Sequence, residues 1–201
     1  MRKLFIAIVL SLTLAHTAHS QGTLLFFDEF QDNRNDWPIL NSDIAVTDIR
    51  DGYYFLQHLR TQKALSVKKH VPIDESRDYM IIAELEKFDL NGDPGYGILW
   101  GRDDEDNEYN FLISGKGNFK IFRMNKGHIQ KLIDWYPSKY INRDNTVNRL
   151  TIKKVGESMY FYANSHLLAK TKIMPFYNDL IGIKVFHNQK IGVRSFYVYQ
   201  R

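Results

Sequence analysis

Glu84 and Glu86 are the side chains of this sequence whose type and spacing best match acid–base chemistry. They lie two residues apart in the segment YMIIAELEKF (79–88), and alternate residues of a strand project from the same face. Hydrolysis of a glycosidic bond needs two carboxyl groups on one face, about 5–5.5 Å apart when the configuration is retained. Together with Asp89 they form the pattern Glu-x-Glu-x-x-Asp. One interpretation of the segment is therefore the catalytic site of a glycoside hydrolase. The alternative is that both glutamates are solvated charges on a sheet with one wet face.

A second cluster of oxygen-bearing side chains follows in the run RDDEDNE (102–108). Hard cations such as Ca²⁺ prefer carboxylate and amide oxygens, so Asp104 and Asp106 are candidate metal ligands. The spacing does not complete an EF-hand loop, because no glycine or closing glutamate follows at the required positions. A solvated turn is the alternative, and the sequence requires no cofactor.

Aromatic and polar side chains of the kind that bind sugars form a third group. Aromatic rings pack against the apolar faces of sugar rings, while amides, carboxylates and guanidinium groups bond the hydroxyls. Such side chains occur on adjacent expected strands and loops: Trp100, Arg102, Tyr109, Asn110, Trp135, Tyr136 and His187. Core packing is the alternative for each aromatic residue, and Trp100 shares its alternating face with Tyr96 and Ile98.

The elements that must position these residues are short β-strands. The stretch from Gly95 to Phe122 predicts three consecutive antiparallel strands, because apolar residues recur with a period of two between polar or glycine-rich turns. Asp51-Gly52 is a two-residue hairpin signal between two more strands. About a dozen strands and no helix are expected over residues 21–201. This pattern predicts one all-β domain, a sandwich or a barrel.

The first twenty residues predict a signal peptide. Arg2 and Lys3 precede an apolar run from Leu4 to Leu14 that is too short to cross a bilayer, and Ala18-His19-Ser20 supplies a cleavage site. A membrane anchor is the alternative. We therefore expect a secreted or periplasmic protein with no membrane insertion after cleavage. The chain has no cysteine, so the core must form without disulfides.

The composition excludes several other classes. The 27 Lys and Arg residues include two in the signal segment, and the others are scattered among 23 Asp and Glu residues, so no stripe for nucleic acid is expected. A cysteine nucleophile, a phosphate-binding glycine loop, a His-x-x-x-His helix and a Gly-x-Ser-x-Gly elbow are all missing from the sequence.

Taken in order, the motifs resemble the concanavalin A-like lectin/glucanase sandwich. More closely, the chain is similar to laminin-G-like domains of secreted bacterial proteins, near the 3-keto-disaccharide hydrolase family. The motifs that carry this resemblance are FDEF (27–30), WP (37–38), DGY (51–53), GYG (95–97), the run from Asp104 to Ile113, LIDW (132–135), NRLTI (148–152) and FYAN (161–164). They extend over nearly the whole chain after residue 20.

This resemblance implies a jelly roll of two antiparallel sheets, one of them concave, that binds carbohydrate. Glucanases of this fold carry Glu-x-Asp-x-x-Glu, so the second and third acidic types are exchanged at Glu86 and Asp89. Lectin-like sandwiches often hold a structural calcium near their terminal strands, which adds Asp28 as a candidate ligand. We expect a non-catalytic module for a glycan or another extracellular ligand. A glycoside hydrolase and an adhesion or protein-interaction domain are the alternatives, and the sequence gives neither the ligand nor the oligomeric state.

Overall fold

The chain folds as two antiparallel β-sheets that pack face to face. The computed structural model describes residues 22–89, 93–143 and 145–201, and within these ranges it contains fourteen strands and no helix. The expected all-β sandwich is therefore confirmed. The signal peptide expected over residues 1–20 lies outside the described residues. Along the described part of the chain, no helix is long or apolar enough to span a membrane.

The strands follow the alternating segments of the sequence closely. The first seven are β1 (Thr23–Asp28), β2 (Ala45–Arg50), β3 (Tyr53–His58), β4 (Ala64–His70), β5 (Tyr79–Lys87), β6 (Tyr96–Arg102) and β7 (Glu108–Ile113). The other seven are β8 (Asn118–Asn125), β9 (His128–Pro137), β10 (Asn148–Val155), β11 (Ser158–Ala163), β12 (His166–Lys172), β13 (Leu180–Phe186) and β14 (Gln189–Gln200).

Seven strands of the eight-stranded sheet have the order β12-β11-β10-β5-β14-β3-β2. The eighth strand, β1, pairs with residues 196–200 of β14, and β3 pairs with residues 189–193 of β14. The six-stranded sheet has the order β4-β13-β6-β7-β8-β9. Strands β6, β7 and β8 are consecutive neighbours, as the stretch from Gly95 to Phe122 predicts. Strand β13 returns from the distant end of the chain to pair with β6, which is a non-local contact.

The core lies between the two sheets and is built from every second residue of the strands. Trp100 and Phe111 of the six-stranded sheet meet Phe161 of the eight-stranded sheet, with ring centroids 5.7 and 5.4 Å from the Phe161 ring. Burial of such side chains is the main stabilising contribution to a chain without disulfides.

The hairpin at Asp51-Gly52 has the backbone conformation that its sequence indicates. Both residues have positive φ angles, 53° for Asp51 and 72° for Gly52. This is the geometry of a type I′ turn, whose twist matches that of the flanking strands. The turn fixes the register of β2 against β3, with Arg50 opposite Tyr53.

Candidate ligand-binding face

The outer face of the six-stranded sheet, which points away from the core, carries a buried polar cluster. Alternation along β7 directs Phe111 inward and Glu108 and Asn110 outward, because odd and even residues project from opposite sides. On β13 the same rule places Lys184 outward beside the inward Ile183. All residues of β6 and β7 are nevertheless buried, so both sides of the central strands are covered.

Glu108 is the centre of this cluster. Its side chain is completely buried, and its Oε2 accepts a hydrogen bond from Nη1 of Arg102 at 2.9 Å. Its Oε1 accepts from Nζ of Lys184 and, at 3.1 Å, from Nδ2 of Asn110. We call these four residues the Glu108 cluster. A buried carboxylate loses its hydration, so ionised hydrogen-bond donors of this kind are what keep it charged.

A β-bulge at Gly101 brings Arg102 to this face. Simple alternation along β6 places Arg102 on the inner side with Trp100. Gly101 adopts a left-handed backbone conformation, with φ of 58°, and the register with β13 shifts by one residue at this point. Arg102 then lies opposite Leu180, two residues along from the outward Gly182. The extra residue of the bulge therefore moves the guanidinium group from the core side to the outer face.

The cluster lies at the base of an open cleft of about 610 Å³. Arg102 and Lys184 contribute its polar base, and Phe122 and Phe186 contribute aromatic walls whose ring centroids are 6.5 Å apart. The remaining lining residues come from the β3–β4 loop and from neighbouring strands and turns: Thr61, Gln62, Lys63, Ala64, Ser66, Glu105, Met124, Ile129 and His187. A polar base between apolar walls is typical of a site for a small polar ligand.

Lys68 adds a further cation next to the cleft. It lies on β4 in register with Gly182, and it alternates with Ser66, which lines the cleft. The pKa of Lys68 is lowered, mainly by partial burial of its ammonium group and further by the positive charges of Arg102 and Lys184. The negative charges of Glu105 and Glu108 oppose this shift. Cations therefore crowd this part of the sheet.

Two buried polar atoms of the cluster have no hydrogen-bond partner among the described residues. They are Nε of Arg102, a donor, and Oδ1 of Asn110, an acceptor. A buried polar group without a partner costs roughly 1–3 kcal/mol, and such groups are few in folded proteins. Arg102 lines the cleft and has capacity for one further acceptor there, whereas Asn110 is fully buried and does not line the cleft.

Two of the residues expected to bind sugar lie in the core. The Trp100 side chain is fully buried and stacks on Tyr109, with ring centroids 5.4 Å apart. The hydroxyl of Tyr109 donates to the carbonyl oxygen of Pro175 at 2.9 Å, and burial raises its pKa. Core packing, the alternative considered for these aromatics, accounts for the position of both.

The other expected sugar-binding residues are divided among four places. Arg102 and Asn110 belong to the Glu108 cluster, and His187 is exposed at the rim of the cleft. Trp135 of β9 lies further along the same outer face, with its indole against Gly95 and below Nζ of Lys120 at 5.9 Å. Tyr136 points to the other side of β9, where its ring meets the core residue Phe119 and stays 62% exposed.

The carboxylates considered for hydrolysis lie on the opposite sheet. Glu84 and Glu86 share the outer face of β5, as the spacing predicts, and both are partly exposed. Oε1 of Glu84 accepts from Arg149 at 2.9 Å, and Oε2 of Glu86 accepts from the Tyr53 hydroxyl at 2.8 Å. Asp89 forms an ion pair with the buried Lys87 and accepts from the backbone amide of Lys190. These groups do not line the cleft of the six-stranded sheet.

Of the three candidate calcium ligands, Asp28 lies on β1 of the eight-stranded sheet, whereas Asp104 and Asp106 share the turn between β6 and β7 of the six-stranded sheet. Asp28 is buried, and its carboxylate accepts from the Trp37 indole and from the Asn35 amide, both at 2.8 Å. Asp104 accepts from the backbone of Asp106 at 2.9 Å, as in a solvated turn. Within the described ranges, no group of three or more acidic, histidine or cysteine side chains could hold a metal ion. Calcium binding stays a prediction.

Comparisons with known proteins identify a fold and no family. No family model matches the chain, and no curated protein matches it either. Similarity is found among solved structures, all at low sequence identity.

Three of these structures show the range of similarity. A protein of unknown function with a galectin-like fold from Bacillus subtilis has a TM-score of 0.60 and 12% identity, over 89% of this chain and 96% of the other. The carbohydrate-binding module CBM66 from Bacillus subtilis has a TM-score of 0.50 and 15% identity, over 86% and 93%. The GH43 protein BlXynB from Bacillus licheniformis has a TM-score of 0.59 and 12% identity, over 87% of this chain.

The chain spans only 39% of the length of the GH43 protein. At these identities the similarity establishes a lectin-type β-sandwich, the fold shared by galectin-like proteins and carbohydrate-binding modules. Because one fold hosts many functions, the function must be argued from the site.

Proposed function

We propose that this protein is a non-catalytic module that binds glycans through the outer face of its six-stranded sheet. The observation that carries the proposal is the Glu108 cluster: three hydrogen-bonding side chains converge on one buried carboxylate at the base of an open cleft. Carbohydrate-binding neighbours of the same fold support it, as does the resemblance to laminin-G-like domains near the 3-keto-disaccharide hydrolase family.

The chemistry of the cleft suits a sugar ring. Hydroxyl groups both donate and accept hydrogen bonds, and Arg102 and Lys184 offer charged donors at the base of the cleft. Phe186, which is partly exposed and packs against the buried Phe122, offers an apolar ring surface to the C–H face of a sugar. Arg102 and Lys184 are fixed by their hydrogen bonds to Glu108, so little side-chain entropy is lost when they bind a ligand.

The expected export of the protein agrees with this function, because most polysaccharides recognised by such modules lie outside the cell. Export depends on the signal peptide expected over residues 1–20 and is itself part of the proposal. Cleavage is testable by N-terminal sequencing of the mature protein, and a new terminus at Gln21 is the expected result.

A glycan array tests the function directly. The mature chain, residues 21–201, is expected to bind at least one class of polysaccharide, and calorimetry then measures the affinity. Phe186→Ala removes an aromatic ring from the cleft and is expected to weaken binding by roughly tenfold. This factor corresponds to about 1.4 kcal/mol of binding free energy. Phe27→Ala is the matched control, because Phe27 is an exposed aromatic residue on the eight-stranded sheet.

The outcomes separate the proposal from its alternatives. An absence of binding across broad polysaccharides contradicts it, as does binding that Phe27→Ala weakens and Phe186→Ala does not. Release of reducing sugar by the wild type, abolished in Glu84→Gln or Glu86→Gln, would establish the hydrolase instead.

A further inference from the structure

We infer that the glycan bound in this cleft is anionic, with a carboxylate or sulfate group placed over Arg102 and Lys184. This inference rests on the proposed function and adds to it the chemical class of the ligand. It follows from the balance of charge in and around the cleft, which is positive even after the buried glutamate is counted.

Four cations face this part of the sheet against two carboxylates. The cations are Lys63, Lys68, Arg102 and Lys184, and the carboxylates are Glu105 and Glu108. Water screens the charges of Lys63, Lys68 and Glu105, which are all exposed, whereas Arg102, Lys184 and Glu108 are buried. The buried Glu108 is therefore the principal internal counter-ion, and one carboxylate cannot balance the cations around it.

The hydrogen-bond geometry leads to the same conclusion. A guanidinium group has five N–H donors and an ammonium group has three. Among the described residues, Arg102 and Lys184 each direct one hydrogen bond to a side chain, and in both cases the acceptor is Glu108. Donors are thus left over on both cations, and Nε of Arg102 is buried without an acceptor. An incoming carboxylate or sulfate supplies acceptors and charge together.

A saccharide fits better than a simple anion because the cleft also has aromatic side chains beside its charged base. The partly exposed Phe186 and the buried Phe122 pack against each other beside the charged base, and the cleft has room for more than one sugar ring. An acidic sugar combines a charged group, hydroxyls and an apolar ring face in one molecule.

Matched pairs of saccharides test the inference by calorimetry. The pairs are oligogalacturonate and its methyl ester, hyaluronan oligomers and their carboxyl-reduced form, and dextran sulfate and dextran. At 50 mM NaCl, at least one charged member is expected to bind ten or more times more tightly than its neutral counterpart. Its affinity should fall as NaCl is raised to 500 mM, because salt screens the charges. The carboxylate and sulfate pairs show which anion is preferred.

Three lysine variants locate the effect. Lys68→Met changes an exposed side chain, so the protein is expected to fold normally, and affinity for the charged saccharide should fall by about threefold or more. Lys184→Met removes a cation of the cluster and should lower the affinity for the charged saccharide by tenfold or more. Lys170→Met is the matched control, because Lys170 is exposed on β12 of the other sheet. Thermal melts of all three show whether the fold is retained.

The outcomes distinguish failure of this inference from failure of the proposed function. Equal affinity for charged and neutral members, still weakened by Phe186→Ala, overturns the inference and leaves glycan binding intact. No binding of any saccharide overturns both. Binding of poly-glutamate as tightly as of the acidic saccharides, with the same dependence on Lys68, overturns the assignment to a saccharide. Loss of affinity in Lys68→Met with an unchanged melt, and no loss in Lys170→Met, supports the inference.

Discussion

The outer faces of the two sheets differ in whether their ion pairs are buried or exposed. On the six-stranded sheet, Arg102 and Lys184 converge on Glu108, and the carboxylate is fully buried. On the eight-stranded sheet the charges are paired locally and remain wet: the side chains of Glu84 and Arg149 are 29% and 43% exposed. Exposed ion pairs add little to stability, and buried ones gain little net because of desolvation. Stability alone therefore does not explain the buried cluster, whereas the proposed binding function would give it a role.

The largest expected difference between the two faces is the effect of neutralising one carboxylate. Glu108→Gln leaves two cations buried without their counter-ion and should lower the free energy of unfolding by about 3–5 kcal/mol. Glu84→Gln, the matched change on the eight-stranded sheet, should lower it by less than about 1 kcal/mol. Urea denaturation measures both, and similar losses would mean that the two faces do not differ in this way.

A glycine pair tests whether the bulge at Gly101 is constrained by its surroundings. Gly101 and Gly156 have similar positive φ angles, 58° and 54°, so alanine strains the backbone equally at both. A Cβ at Gly101 would also lie 2.9 Å from the ring of Phe176, whereas nothing lies within 4 Å at Gly156. We expect a loss of about 2–4 kcal/mol for Gly101→Ala and about 1 kcal/mol for Gly156→Ala. Equal losses in denaturation would show that the bulge has room to relax.

A double-mutant cycle measures the coupling on the eight-stranded sheet. Glu84→Gln, Arg149→Gln and the double variant should give a coupling free energy of about 0.5 kcal/mol, which should shrink in 0.5 M NaCl because this pair is exposed. A coupling above about 2 kcal/mol would indicate that the pair behaves as a buried one, and the contrast between the two faces would fail.

The smallest expected effect is a change in the titration of Lys68. Its pKa is lowered by burial and by Arg102 and Lys184, so Lys184→Met should move the pKa back toward its usual value of about 10.5. Part of the shift should persist, since burial is its main cause. NMR titration of the lysine side chains measures this, and Lys170→Met should leave the Lys68 signal unchanged. No movement in Lys184→Met would argue against crowding of cations at this face.

Most of the fold could be predicted because strand alternation is a local property. The period of two places Trp100 on one side with Tyr96 and Ile98, and the structure shows that this side is the core. Turn residues such as Asp51-Gly52 mark where strands reverse. The pairing of β13 with β6 could not be read in this way, because it depends on packing between segments about eighty residues apart.

The candidate site was predictable only in part, because its side chains also come from segments that are distant in the sequence. Arg102 and Asn110 could be named from their types, but their partner Glu108 reads in sequence as the end of an acidic turn. Lys184 lies in an apolar strand 76 residues away from Glu108. A usable signal was present, since Lys184 and Asn110 are polar residues within otherwise apolar strands. The bulge at Gly101 reverses the side on which Arg102 projects, and simple alternation cannot anticipate that reversal.

The position of β14 has a consequence for the kinetics of folding. It pairs with β5 along one edge and with both β3 and β1 along the other, and Thr23 lies opposite Gln200. β1, β3 and β5 all precede β14 in the chain, so three strands of the eight-stranded sheet cannot complete their pairing until β14 has been made. The long chain segments that separate these strands from β14 must close into loops before the contacts form. This requirement places refolding in the range of about milliseconds to seconds. Until then the edges of β3 and β5 are open to pairing with other chains, so the interval before β14 docks is when aggregation competes with folding.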